Sequence, residues 1–201
     1  MIDSQLIEKI LDFWFGDLDA DGLCKQDRNK LWFQSSEAGD QHIRDEFGAD
    51  VEAALAGDLD HWSGLPGGLT ALVILLDQFT RNIYRGTAAA FGGDQQALTL
   101  VQAAVANGAD CDISAIHRVF LYIPYEHCED LATQEAGIAC FDRLLADCNT
   151  DAREQIEGFK RYSIAHRDVI ARFGRFPHRN EILARQSSAK EKDHLQEHGG
   201  F

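Results

Sequence analysis

The sequence predicts an all-α fold of roughly seven to nine helices, most of them paired antiparallel through short loops. Three observations carry this. Apolar residues recur three and four positions apart along almost the whole chain. Strict apolar–polar alternation, the mark of a half-buried strand, is nearly absent. Glycines, prolines and small polar residues fall between the periodic stretches, where helices start and stop.

The elements follow in order. Ser4 is placed to cap a first helix with the stripe Leu6, Ile7, Ile10, Leu11 and Trp14, stopped by Gly16. A loop rich in Asp and Gly leads to a short segment ending at Trp32-Phe33. Ile43, Phe47, Val51 and Leu55 are spaced by four, with Gly57 beyond them. After Pro66-Gly67-Gly68, the run Leu69, Leu72, Leu76, Phe79 and Ile83 reads as a buried helix. Asp94 is placed to cap a helix carrying Leu98, Val101 and Val105, closed by Gly108. Ser114 opens another with Ile116, Val119 and Phe120. Pro124 suits the first turn of a long helix to about residue 148, with the stripe His127, Leu131, Gln134, Ile138, Phe141, Leu145 and Cys148. Asp151 and Glu154 resemble a capping box for a helix striped by Ile156, Phe159, Ser163, His166, Ile170 and Phe173, which Gly174 ends. A last short helix holds Ile182 and Leu183. One domain is expected over residues 1–186, followed by a polar tail, 187–201, loose at its end. Divergent helical hairpins stacked as a solenoid are compatible with this pattern.

The net charge of −14 disfavours nucleic acid and acidic membrane faces as partners. The charge is uneven: residues 1–60 carry 15 acids against 5 bases, and residues 160–185 carry 7 bases against 2 acids. Five cysteines without a Cys-x-x-Cys pair fit reduced thiols better than a disulfide framework or zinc knuckle. The N-terminus has neither a basic region nor a long apolar run, and no stretch is long enough to span a bilayer, so the expected location is the cytoplasm.

Three segments set charged and amide groups among apolar neighbours: 75–85, 120–130 and 172–180. An unpaired buried polar group costs a few kcal/mol, so these segments point to one assembled polar pocket. In the first, Asp77 and Arg81 are four apart, as are Arg81 and Arg85, with Gln78 and Asn82 on an adjoining face. In the second, Glu126, Glu129 and Asp130 follow Pro124 within two turns, Glu126 and Asp130 share a face near His127, and Gln134 continues the His127 stripe. In the third, Arg172, Arg175, His178, Arg179 and Asn180 crowd a turn stiffened by Phe173, Phe176 and Pro177. His166 lies on the apolar stripe just before it. Each has an ordinary explanation: a satisfied core histidine, an intrahelical ion pair, acids at a helix start, cations at a helix end. Several such groups together weaken those explanations. No Glu-x-x-His or His-x-x-x-His spacing supports a metal, and no dinucleotide, Walker or nucleophile-elbow motif calls for a cofactor.

With these residues in view, the chain resembles the bacterial family known as domain of unknown function 924. The likeness rests on Leu11-Asp12-Phe13-Trp14-Phe15-Gly16, Trp32-Phe33, Leu76-Asp77-Gln78-Phe79 and Arg81-Asn82-Ile83-Tyr84-Arg85-Gly86. Further along it rests on Arg118, Phe120-Leu121-Tyr122, Glu126-His127, Glu129-Asp130, Gln134, His166 and Arg172-Phe173-Gly174-Arg175-Phe176-Pro177-His178-Arg179-Asn180. One position departs: Ala184 precedes Arg185 where the family usually carries Gly. The resemblance implies a helical fold like tetratricopeptide repeats and supplies no activity.

Three functional readings follow. In the first, arginines clamp an anionic small molecule. His127 or His166 is then a general acid or base, oriented by Asp77 or Glu126, and hydrolysis or other acid–base chemistry is the reaction class. The ligand contacts are then Gln78, Arg81, Asn82, Arg85, Arg118, Tyr122, Asp130, Gln134, Arg172, Arg175, His178, Arg179 and Asn180. In the second, a tetratricopeptide-like adaptor holds an acidic peptide in its groove. In the third, the polar groups form a structural network that fixes helix packing.

Overall fold

Apolar stripes at helical spacing yield ten α-helical segments in the computed structural model, which describes residues 2–34 and 36–199. They are α1 (Ile2–Phe15), α2 (Asn29–Phe33), α3 (Glu37–Ala56), α4 (Gly68–Val73), α5 (Thr80–Ile83), α6 (Asp94–Asn107), α7 (Ala115–His127), α8 (Leu131–Asp147), α9 (Thr150–Phe173) and α10 (Ala189–His198). An isolated bridge between Leu18 and Cys24 is the one β pairing among the described residues. The chain is all-α. Loops of two and three residues join α7, α8 and α9, and α8 packs on both of its chain neighbours, an arrangement compatible with stacked hairpins. No helix among the described residues is long and apolar enough to cross a membrane.

Aromatic side chains fill the centre. Trp14 meets Phe79 and Phe120 edge-on, with ring centroids 5.4 and 5.9 Å apart. Trp32 meets Phe120 at 4.7 Å. Edge contacts of this kind add about 0.5–1.5 kcal/mol each beyond the buried area. The Trp32 indole also donates to the Trp14 carbonyl (3.0 Å), which ties α2 to the end of α1.

Between α4 and α5 the backbone widens into a π-helical turn, Ile74–Phe79, so residues 68–83 form one helix with an expanded middle. The Thr80 hydroxyl donates to the Leu76 carbonyl (2.8 Å), supplying that oxygen within the widened turn. Gly93 lies against the same carbonyl; a Cβ there would fall 2.2 Å from the Leu76 oxygen. Glycine thus lets the start of α6 touch the backbone of the widened helix, and this close approach positions Asp94 for the site.

Several boundaries differ from the sequence expectation. Ser4 lies inside α1 rather than capping it. Asp94 is the first residue of α6, after Gly93, and its carboxylate binds arginines instead of capping. Asn149 caps α9 by accepting from the Ala152 N–H, so Asp151 and Glu154 are not its capping box. Pro124 lies inside α7 and does not open a helix that runs on to 148. It has no N–H to donate back to the preceding turn. The chain leaves the helix after His127 and restarts at α8, capped by Asp130 accepting from the Thr133 N–H. The Gln134 amide donates to the carbonyls of Glu126 and Cys128 at this break (2.5 and 2.8 Å), satisfying a helix end that would otherwise lack partners.

Ile182 and Leu183 form a turn, and the helix comes later, as α10 within the polar tail. Ser188 and Glu191 make a reciprocal capping box, and Arg175 grips Glu191 with both arms of its guanidinium (2.7 and 2.9 Å). Residues 200–201, the end of the expected loose tail, lie outside the described residues.

Ala184 has φ +54°, in the left-handed region. A Cβ costs about 1 kcal/mol there, whereas Gly adopts the angle freely. Ala184→Gly should raise stability by up to about 1 kcal/mol, seen as a melting temperature a few degrees higher. A lower melting temperature would refute that account.

Candidate functional site

Five stretches of chain bring polar groups to one place. The widened helix supplies Asp77, Gln78 and Arg81, and the end of α7 supplies Glu126 and His127. Ser163 and His166, three apart on α9, share a face. The turn after α9 adds Phe176, His178 and Arg179, and the approach to α6 adds Phe91 and Asp94.

Asp77 is fully buried. It accepts from His127 Nδ1 (2.7 Å) and from the Gln78 amide (2.5 Å), and Arg81 stands 3.7 Å away. Burial alone would raise its pKa, but His127 and Arg81 outweigh that and hold the carboxyl at about 2. Burial and Arg81 push His127 the other way, below the usual imidazole range. At neutral pH the pair is therefore a carboxylate and a neutral imidazole. With Nδ1–H donating to Asp77, the tautomer assigned from this bond leaves a lone pair on Nε2.

Glu126 behaves oppositely. Burial, helped by the nearby Asp77 charge, pushes its carboxyl up to about 8, although the Ser163 hydroxyl donates to it at 2.5 Å. His166 lies 3.8 Å from Glu126, and its Nδ1 is 2.8 Å from the Tyr162 carbonyl. Burial and His127 lower His166 to about 3, so this contact joins two neutral groups at pH 7. The rings of His127 and His166 are 6.2 Å apart.

Arg81 binds Asp94 with both arms (2.8 and 3.2 Å) and also reaches the Ala90 carbonyl. Arg179 packs over the rings of Phe91 and Phe176, 4.6 and 4.5 Å from their centres. Its Nη1 donates to the His127 carbonyl (3.1 Å) and reaches Asp94 at 3.5 Å. Burial and the Arg81 charge lower its pKa to about 10, which still leaves it cationic. A pocket of about 260 Å³ opens beside these groups, lined by Phe91, Asp94, His127, Cys128, Glu129, Arg179 and Leu183 among others.

The model of the family described as "Bacterial protein of unknown function (DUF924)" matches residues 10–199. The chain belongs to this family. A solved structure, that of the protein of unknown function ATU0120 from Agrobacterium tumefaciens, is similar to it with a TM-score of 0.80 and 34% identity. That match covers 96% of this chain and 98% of the other. No curated protein matches the chain.

In this DUF924 chain the sequence candidates fall into two groups. Asp77, Gln78, Arg81, Glu126, His127, Gln134, His166, His178 and Arg179 converge on one centre. His178 sits there against Phe176, its pKa lowered to about 4 by burial and by Arg179.

The rest lie elsewhere. Asn82 and Arg85 both bind Asp40 of α3 (2.8 Å; 2.6 and 3.0 Å). Arg118 donates to the Tyr122 hydroxyl, which donates to Asp110 (3.1 and 2.6 Å). Arg118 and His127 are nine residues apart on α7, which puts them on opposite sides of it. Asp130 is a helix cap, and Arg172 is exposed over its neighbour Phe173. Arg175 and Asn180 hold Glu191 of α10.

Sequence reasoning missed Asp94, Glu129, Ser163 and Phe91 as members of the centre. Glu129 takes a two-armed bond from Arg185 (2.6 and 2.9 Å) and the Phe176 N–H (2.8 Å). The helical spacing of Ser163 and His166 was the readable signal for Ser163. Among the described residues, no group of three or more His, Cys, Asp or Glu is arranged to hold a metal ion.

Proposed function

We propose that the pocket beside His127 and Arg179 binds a small anionic molecule and moves protons on it. The observation that carries this is a pair of carboxyls driven apart by their surroundings. Asp77 is held ionised behind His127, and Glu126 is held protonated behind His166. Titratable groups separated in this way are the usual basis for assigning an acid and a base. Asp77 fixes the tautomer of His127, whose Nε2 serves as the base. Glu126, neutral at pH 7 and bonded to Ser163, is the proton reservoir on the His166 side. Arg179 anchors the anion. A pocket of about 260 Å³ suits a small molecule better than a peptide several residues long. The ion pairs of Arg85, Arg118 and Arg175 with their own carboxylates favour a structural role for those three.

A thermal-shift screen of the purified protein tests the reading against carboxylates, phosphorylated metabolites, acidic peptides and divalent metals. A ligand at a hundred times its Kd adds about 2.7 kcal/mol. An anion that raises the parent's melting temperature should not move that of Arg179→Met. Turnover of that anion should fall by about a hundredfold or more in His127→Gln. If no small anion shifts the parent, the reading fails.

A further inference from the structure

We propose that the ligand of this pocket is a short monocarboxylate with an apolar body, its carboxylate gripped edge-on by Arg179. The inference deepens the reading above and rests on it. Arg179 is 6% exposed, and its Nε is buried with no hydrogen-bond partner among the described residues. Buried donors are almost always satisfied, so an orphan on a cation facing a pocket marks the place of an absent acceptor. The Phe91 and Phe176 rings pack against the guanidinium, its carbon 4.6 and 4.5 Å from their centres, and offer its N–H groups no oxygen acceptor. One edge serves the His127 carbonyl and Asp94 through Nη1. The remaining edge, which includes Nε, has the fork geometry that matches a carboxylate.

The walls restrict the class further. Asp94 and Glu129 line the same pocket, and each already holds an arginine with both oxygens: Arg81 on Asp94, Arg185 on Glu129. The cations around the pocket are therefore committed, and a ligand with two or more negative charges meets two fixed carboxylates and one open guanidinium edge. Phe91, Leu98, Pro124 and Leu183 form an apolar part of the lining, with Gln95 beside Asp94. At about 30 Å³ per water-sized unit, a pocket of about 260 Å³ holds on the order of ten non-hydrogen atoms.

Calorimetric titration of the full chain with hexanoate, hexan-1-ol, succinate and inorganic phosphate decides the matter. Hexanoate should bind, and the neutral alcohol should bind about tenfold or more weakly. Arg179→Lys keeps the charge but loses the fork, and should weaken hexanoate by about tenfold or more. Leu183→Trp, at a half-buried position on the pocket wall, should exclude hexanoate by filling the apolar side. Tighter binding of phosphate or succinate that Arg179→Lys weakens would overturn the monocarboxylate class and leave the anion pocket standing. Hexanoate binding untouched by both variants would place it elsewhere and overturn the proposal. No binding by any of the three anions would overturn the pocket reading as well.

Discussion

Glu126→Gln should make the protein more stable above neutral pH and leave it nearly unchanged in mild acid. Glutamine has the shape of the protonated acid and keeps a partner for the Ser163 hydroxyl. The sign follows from the raised pKa. Below the ordinary value of 4.5 the carboxyl is neutral whether the chain is folded or not, so it exerts no pull on the equilibrium. Between 4.5 and about 8 the unfolded chain loses this proton and the folded chain keeps it, so stability drains away as pH rises. Above about 8 the folded form ionises too and the loss levels off. At about 1.4 kcal/mol per pH unit, the full window is worth on the order of 5 kcal/mol. Urea denaturation of parent and variant at pH 5 and pH 8.5 reads the difference directly. A gap of about 1 kcal/mol or less at pH 5 should widen to several at pH 8.5. A constant gap, or one that narrows with pH, would show that Glu126 is ionised in the folded protein.

Asp77→Ala should be the most damaging single change at the centre. It leaves the His127 N–H and the Gln78 amide without their buried acceptor and strips Arg81, which keeps Asp94, of its second carboxylate neighbour. Breaking a buried charged pair by removing one partner costs about 3–5 kcal/mol. For a chain of this size that is a fall of roughly 10 °C in melting temperature. The pH dependence runs opposite to that of Glu126. Asp77 has a lowered pKa, so its contribution is complete above pH 3.8 and is lost as pH falls through about 2. The gap between parent and variant should therefore be full at pH 7 and shrink in strong acid. A loss under about 1 kcal/mol at pH 7 would mean that His127 and Gln78 find other acceptors and that Asp94 alone suffices for Arg81.

The contrast between what the sequence discloses and what it hides has physical causes. The helical class was legible because burying one face forces apolar residues onto a 3.6-residue period. Pro124 was misread because its fixed φ is helical wherever it falls in a helix, and the carbonyls exposed where α7 ends are met by Gln134 of the next helix, a match the residue types alone do not announce. α10 has no apolar stripe and is held by polar contacts with Arg175, so periodicity could not find it. Its signal was local: Ser188 followed three residues later by Glu191. Asp77, Glu126, His127 and His166 were readable together because polar groups on apolar faces need one another. The arginines were over-collected because a guanidinium's partner is invisible in sequence: Asp40 lies 45 residues from Arg85, and Glu191 lies 16 from Arg175.

The π-helical turn makes residue count, and not only residue identity, part of the design. A helix that swells for one turn and then resumes is a shaft with a phase step cut into it. Upstream of the step α4 is wrapped by protein on every side; downstream, α5 sends Arg81 to Asp94 and Asn82 to Asp40. The angle between those two halves is set by a surplus residue worth about a hundred degrees of rotation. The polar centre is thereby timed to the core like a cam to its shaft, and its chemistry is written in the length of this segment as much as in its letters.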